Sequence, residues 1–279
     1  GLSAEHGALG VSGADAKDGK AAGAAIEFRN VVKRFLRTDQ REESFLAVDR
    51  LSFEVAPGEM VAVLGRTGCG KSTMFNLLTG LIEPTERPVR VLGHDPFREF
   101  NWFRGKMAVV FQNDRLMPWR TAVENVELGI ELAGMDAEER RKIALGWLDR
   151  LGLKGHEHDY PPALSGGMRQ RVSLARAFAV NPVILLCAEP FSALDELTGQ
   201  RLREEYTQLV EENGKTSIFV THSINEALQL GERILVFHRP AQIALEAKVA
   251  GGDRDAIRAR VLAAMNLREA EAEAEEKAL

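Results

Sequence analysis

The sequence predicts an α/β domain with a mixed sheet, an antiparallel β edge and an inserted helical subdomain, assembled around a phosphate-binding loop. Three observations carry that prediction. An apolar run, Met60 to Leu64, breaks into the glycine-rich turn GRTGCGKST, and apolar residues restart at helical spacing from Ser72. Two further apolar runs, MAVVFQ and VILLCAEP, are separated by segments with helical periodicity, the pattern of strands joined through helices. Upstream, IEFRNVVKRFL and FLAVDRLSFEV flank a polar insert and read as an antiparallel pair ahead of the turn Ala56-Pro57-Gly58.

The central turn is a phosphate cradle by composition and context. Gly65, Gly70, Lys71 and Ser72 fill G-x-x-x-x-G-K-[ST], with Arg66, Thr67, Gly68 and Cys69 between them and Thr73 following. The glycines let backbone N–H groups converge on phosphate oxygens, and the helix start adds its positive dipole. Lys71 supplies a point charge, and Ser72 a hydroxyl for Mg²⁺. An ordinary glycine-rich turn with a chance lysine would need strand, spacing and helix to agree by accident.

The remaining elements follow in order. Residues 1–25 are rich in Gly, Ala, Ser, Asp and Lys without periodicity and read as a disordered extension with no assigned function. Phe35, upstream of the cradle, is either an aromatic that stacks on adenine or a strand residue facing the core. Arg90 to Gly93 and Ala108 to Gln112 are short strands; Gln112, at a strand exit, either faces a metal or merely caps the strand. Thr121 to Leu153 form the helical insert, preceded by an exposed Met117-Pro118-Trp119 that suits a docking surface or a core. His156 to His158 lie in a loop without a supporting ligand motif, so no metal is expected there.

Ser165 caps a helix, and Gly166 and Gly167 beside it leave an anion-ready backbone, although most such patterns are only caps. The strand Val183 to Leu186 runs into Glu189, a candidate general base at a strand's carboxyl end, and then into a loop with Asp195. After a helix from Leu202 to Val210, another strand ends at His222, which either contacts a γ-phosphate or is structural. Arg233 to Phe237 closes the sheet, the main domain ends near residue 250, and residues 251–279 read as one solvated, fraying helix.

Composition bounds the function. The chain has 279 residues, 45% of them hydrophobic, enough for one large domain or two small ones. A net charge of −5 gives no basic face for nucleic acid. Cys69 and Cys187 have no partners at zinc spacing and fit a reducing interior, so the expected compartment is the cytosol. No run approaches the roughly 18–20 uninterrupted apolar residues of a membrane span, and no signal-peptide core is visible, so a membrane role would come through a partner.

Taken together, GRTGCGKST, the glutamine of VVFQ, LSGGMRQR, AEPFSALD and VTHS stand in the order found in ABC-transporter ATP-binding subunits, which the chain resembles from Ile26 to about Glu246. LMPW, PFSALD and THSINEAL resemble most the importer subgroup for nitrate, sulfonate, taurine and related small anions or nutrients. The resemblance implies a P-loop NTPase fold with the helical subdomain at about 113–180, and two copies facing head to tail. It implies ATP as substrate with Mg²⁺, a membrane permease, an external solute-binding protein, and a place at the cytoplasmic face of the membrane. By resemblance Phe35 stacks on adenine and residues 65–73 bind ATP. Ser72 and Gln112 reach the metal, Ser165 to Gly167 close on the opposite subunit's ATP, and Asp195 contacts that subunit. Glu189 is the general base and His222 the switch histidine. One position departs: Ala188 stands where the family has an aspartate, which leaves room for a slow enzyme or a regulatory module that closes without turnover. A soluble clamp ATPase shares the motifs but carries coiled coils or duplicated cassettes that this sequence lacks.

Overall fold

Strands rich in apolar and β-branched residues build the sheets of this protein, and polar N-caps begin most of its helices. A computed structural model describes residues 23–36 and 44–266. Its first elements are β1 (Ile26–Leu36), β2 (Ser44–Val55), β3 (Met60–Gly65), α1 (Lys71–Leu78), β4 (Arg90–Val91) and β5 (Met107–Phe111). Then come α2 (Ala122–Leu132), α3 (Ala137–Arg150), α4 (Gly166–Ala179), β6 (Ile184–Ala188) and α5 (Glu196–Glu212). The chain ends with β7 (Thr216–Thr221), α6 (Ile224–Leu230), β8 (Arg233–His238), β9 (Gln242–Lys248) and α7 (Arg254–Asn266). These fall into two compact units, one of Trp102–Lys215 and one of the described residues of Ala22–Asn101 and Thr216–Leu279.

In the unit that holds the phosphate loop, β3 lies between β7 and β8, parallel to both, and every residue of β3 and β7 is buried. Strands covered on both faces read as unbroken apolar runs, which is why VAVL and IFV show no alternation. β9 runs antiparallel on the outer side of β8, so the sheet does not close at Phe237 as expected. QIALEAK escapes a strand reading because one of its residues alone is fully buried and its charges lie on an exposed edge. β1 pairs antiparallel with β2 and, at its start, with β4, and Phe28 stacks on Phe53 at 4.6 Å between centroids. Ala25, placed in the extension by sequence, belongs to this sheet: it is buried and its N–H donates to Val55 O. Residues 1–22 lie outside the described residues.

α7 corrects a second expectation. It is not a solvated helix, because Ile257 and Val261, four apart on one face, bury themselves against Ala227, Leu228, Ile234, Val236 and Ala247. The sequence hides this stripe among arginines and alanines. The tail beyond Asn266 lies outside the described residues.

In the other unit β5 and β6 are parallel, Met107 opposite Ile184 and Phe111 opposite Ala188. α2, α3 and α4 pack through Val126, Ile130, Ala144, Leu148, Val172 and Phe178, all buried. Phe178 lies 5.5 Å from the Trp147 ring and 6.4 Å from Tyr206, which carries the packing onto α5. α2 begins with a full capping box, Thr121 with Glu124, and meets α4 closely: a Cβ on Gly129 would lie 2.5 Å from Val180 Cγ2. α5 is longer than Leu202 to Val210, since Asp195 accepts from Thr198 N and starts the helix at Glu196.

Candidate nucleotide site

The loop between β3 and α1 contains glycine for three different reasons. Gly65 has no room, because a Cβ there would meet Cys69 Sγ at 2.6 Å and Phe237 O at 2.8 Å. Gly68 stands in open space but holds φ at +81°, where a side chain strains the backbone. Gly70 meets both conditions, with φ at +101° and a built Cβ 2.6 Å from Ala241 Cβ, and it is the N-cap of α1. Arg66, Thr67, Gly68 and Ser72 are exposed on the loop, Thr73 is half-buried, and Cys69 is buried beneath it. Burial raises the Cys69 thiol pKa, with the Lys71 charge opposing that shift.

Lys71 is 7% exposed, an unusual position for a lysine without a carboxylate. Its ammonium donates to Gly65 O and, at 2.9 Å, to Arg66 O, so the charge sits inside the curve of the loop on neutral acceptors. Such a cation is satisfied in hydrogen bonds but not in charge, and an anion carried by the loop would neutralise it. Leu64 pairs with Thr221, so His222, the next residue along β7, leaves the sheet beside Gly65 and is exposed. The turn after it is fixed by residues not singled out from sequence. Thr221 Oγ1 donates to Glu226 Oε2 at 2.5 Å and accepts from Ser223 N at 3.0 Å, while Ser223 Oγ accepts from Glu226 N. Ser223-x-x-Glu226 carries the signal of a capping box and could have been read. Phe35 is not a core residue: it is 39% exposed, opposite Phe45, with Lys33 Nζ 5.0 Å over its ring.

The other unit presents a second group of named residues. Because Phe111 opposes Ala188, Gln112 and Glu189 are the next positions at the same end of β5 and β6, and Gln112 is exposed there. Glu189 holds φ at +51° in a tight turn in which Ser192 N and Oγ both donate to its carbonyl. Ser165 Oγ accepts from Met168 N at 3.2 Å and caps α4, with Gly166 and Gly167 opening the helix. A Cβ on Gly167 would meet Thr198 at 2.9 Å, which brings the starts of α4 and α5 together. Asp195 caps α5, and hydrogen bonds from Thr198 hold its carboxyl below the usual range.

The start of α4 and the Gln112 loop are tied by Arg169 and Gln170, which stand within LSGGMRQR without a role assigned from sequence, and by Arg176. Arg169 Nε donates to Asp114 Oδ2 at 3.0 Å and its Nη1 to Leu164 O at 2.7 Å. Gln170 Nε2 donates to Phe111 O, while Arg176 donates to Asp114 O and Arg115 O. Asn125, fully buried in α2, accepts from Met117 N at 2.7 Å and donates to the carbonyls of Met117, Arg120 and Thr121. Trp119, between the clamped Met117 and Arg120, is 71% exposed. Cys187, in β6, donates to Tyr206 Oη and is pushed by burial up to about 12, so it has no reactive thiolate.

In the unit of the phosphate loop Ser72 carries an exposed hydroxyl; in the other unit Gln112 carries an exposed amide and the end of β6 presents a methyl at Ala188. Among the described residues no cluster of three His, Cys, Asp or Glu could hold an ion alone. Mg²⁺ keeps most of its waters and takes few protein ligands where phosphates supply the rest.

The family model described as ABC transporter matches residues 48–192. The glycine betaine/proline betaine transport system ATP-binding protein ProV of Escherichia coli (strain K12) is 45% identical over 198 residues, 68% of this chain and 49% of ProV. The chain thus spans about half the length of that relative and of the glycine betaine transport protein OpuAA of Bacillus subtilis (strain 168). The taurine import ATP-binding protein TauB of Yersinia pestis bv. Antiqua (strain Antiqua) is 45% identical over 190 residues, 68% of this chain and 73% of TauB. A dimeric post-hydrolysis structure of the ATP-binding cassette MJ0796 bound to ADP and Pi superposes with a TM-score of 0.70. It is 37% identical, over 81% of this chain and all of that one.

Proposed function

Since the chain belongs to the ABC transporter family, we propose that it binds and hydrolyses ATP to energise uptake of a small anion or nutrient, of the nitrate, sulfonate, taurine or betaine kind, through a separate membrane permease. The observation that carries the reading is the loop 65–72, in which a buried lysine sits on the loop's own backbone carbonyls, Gly65 O and Arg66 O, beneath the exposed residues Arg66, Thr67 and Gly68. In this reading phosphates lie on the loop amides and on Lys71, and the base stacks on Phe35. Ser72 and Gln112 would hold Mg²⁺ carried in by the nucleotide, which would supply positive charge to offset that of the transferring phosphoryl group. Glu189 takes a proton from the attacking water, and His222 contacts the γ-phosphate. Ser165, Gly166 and Gly167 complete the site of a second copy, with Asp195 at that contact. No helix among the described residues is long and apolar enough to cross a membrane. In this reading the chain works on the cytoplasmic face beside its permease, supplied by an external binding protein.

Lys71→Ala tests the reading. Removing a buried cation from a phosphate site is expected to weaken ATP binding by about 10²-fold or more by calorimetry, with the fold unchanged by circular dichroism. Unchanged ATP affinity would overturn the assignment of the loop. A second expectation concerns docking. Trp119, flanked by residues whose backbone Asn125 clamps, has the exposure of an interface anchor. Trp119→Ala is expected to lower permease-stimulated ATPase by about 10-fold while leaving ATP affinity within about twofold; full stimulation in the variant would place the interface elsewhere.

A further inference from the structure

The turn that joins β8 to β9 packs on the phosphate loop from outside its motif. Gly65 pairs with Phe237, so β8 runs out beside the start of the loop. Past Arg239 and Pro240, the buried Ala241 sits where a Cβ on Gly70 would touch it, 2.6 Å away, with Ala47 O at 2.8 Å. Ala241 N donates to Ala47 O at 2.9 Å, and Asp49 N donates to Ala241 O at 3.3 Å. β2 and this turn are therefore fastened to each other and to the last glycine of the loop.

Two positions before each of these contacts stand Phe45 and Arg239. The Arg239 guanidinium carbon lies 5.0 Å from the Phe45 ring centroid. Phe45 is the cross-strand partner of Phe35, whose ring is 39% exposed. A chain of contacts thus runs from Gly70 through Ala241 and Arg239 to Phe45 and its partner Phe35. Its two ends are the phosphate loop and an aromatic surface suited to a base. Arg239 is exposed on the stretch that joins them, and neither the motif nor the fold core accounts for it. Guanidinium is planar, weakly hydrated and stacks on flat π systems, which distinguishes it from an ammonium at such a place.

Building on the ATP-binding reading above, we propose that Arg239 is a nucleotide-binding residue acting at the ribose and base end of ATP. Phe45 supports its guanidinium from one side and leaves it to stack against the nucleoside on the other. The phosphate loop holds the anionic end, and Arg239 adds affinity that depends on the nucleoside being present. A purely structural role, with the arginine stem covering Phe45, would change stability and leave affinity alone.

Calorimetric titration of the full chain with ATP, ADP and inorganic tripolyphosphate separates these roles, with melting temperature followed in parallel. Arg239→Ala is expected to weaken ATP and ADP by about 5- to 30-fold and tripolyphosphate by less than about twofold, at unchanged melting temperature. Arg239→Lys should recover little, since it keeps the charge but loses the plane. ATP affinity within about twofold of the parent chain in Arg239→Ala, an equal loss for tripolyphosphate, or full recovery by lysine would each overturn the proposal. A parent chain that binds no ATP would instead remove the nucleotide reading itself, whereas a parent chain that binds normally beside an unaffected Arg239→Ala removes this inference alone.

Discussion

Glu189→Gln is expected to lower ATP turnover by about 10²- to 10⁴-fold while leaving ATP affinity within about threefold, the range by which a positioned general base accelerates proton transfer. Glutamine keeps the volume and the hydrogen-bonding shape of glutamate but cannot take a proton from water at neutral pH. The backbone there is demanding: Glu189 holds a positive φ, and its carbonyl accepts from both Ser192 N and Ser192 Oγ. An isosteric change therefore isolates the carboxylate from the turn, which Glu189→Ala would not do as cleanly. Single-turnover measurement separates the chemical step from product release. A turnover loss below about threefold would show that another group takes the proton.

Ala188→Asp is expected to act in the opposite direction, raising turnover by about 10²- to 10³-fold, the usual worth of one well-placed electrostatic contact in a transition state. Ala188 ends β6 opposite Phe111, half-buried, directly before Glu189. A carboxylate at that strand end would add an anionic oxygen at the end of the β5–β6 pair, where the exposed amide of Gln112 stands, for a nucleotide-borne cation. The Mg²⁺ concentration for half-maximal activity should fall with it, while ATP binding, set by the loop amides and Lys71, should change little. A gain of less than about threefold at saturating Mg²⁺, with the permease present, would mean that another residue already fills the role.

Local features were legible in the sequence and distant ones were not. The phosphate loop could be read because strand, glycines, lysine and helix lie within a few residues of one another, and Ser165 because a helix cap is a short-range pattern. The residues that hold these pieces act across the chain. Arg169 meets Asp114 over 55 positions, and Arg239 meets Phe45 across the whole domain, so no local pattern announces either. β9 and the buried stripe of α7 failed for another reason: each hides a few buried residues among charges, and burial of Ile257 and Val261 is decided by the sheet beneath them rather than by their neighbours in sequence. Asn125 lay inside a helix correctly expected from periodicity, yet its clamp on Met117 depends on the path of the preceding loop. Phe35 stood open between core and surface until strand pairing put it opposite Phe45 at an exposed hairpin end.

The phosphate loop of one copy is expected to be completed by Ser165, Gly166 and Gly167 of another, and light scattering of Glu189→Gln in Mg·ATP measures this directly. With hydrolysis blocked, the closed pair should accumulate and the 30.8 kDa chain should double in mass on addition of Mg·ATP, returning to monomer when nucleotide is removed or when Lys71→Ala is added to the variant. A chain that binds Mg·ATP to saturation and stays monomeric, alone and with its permease, would contradict the account.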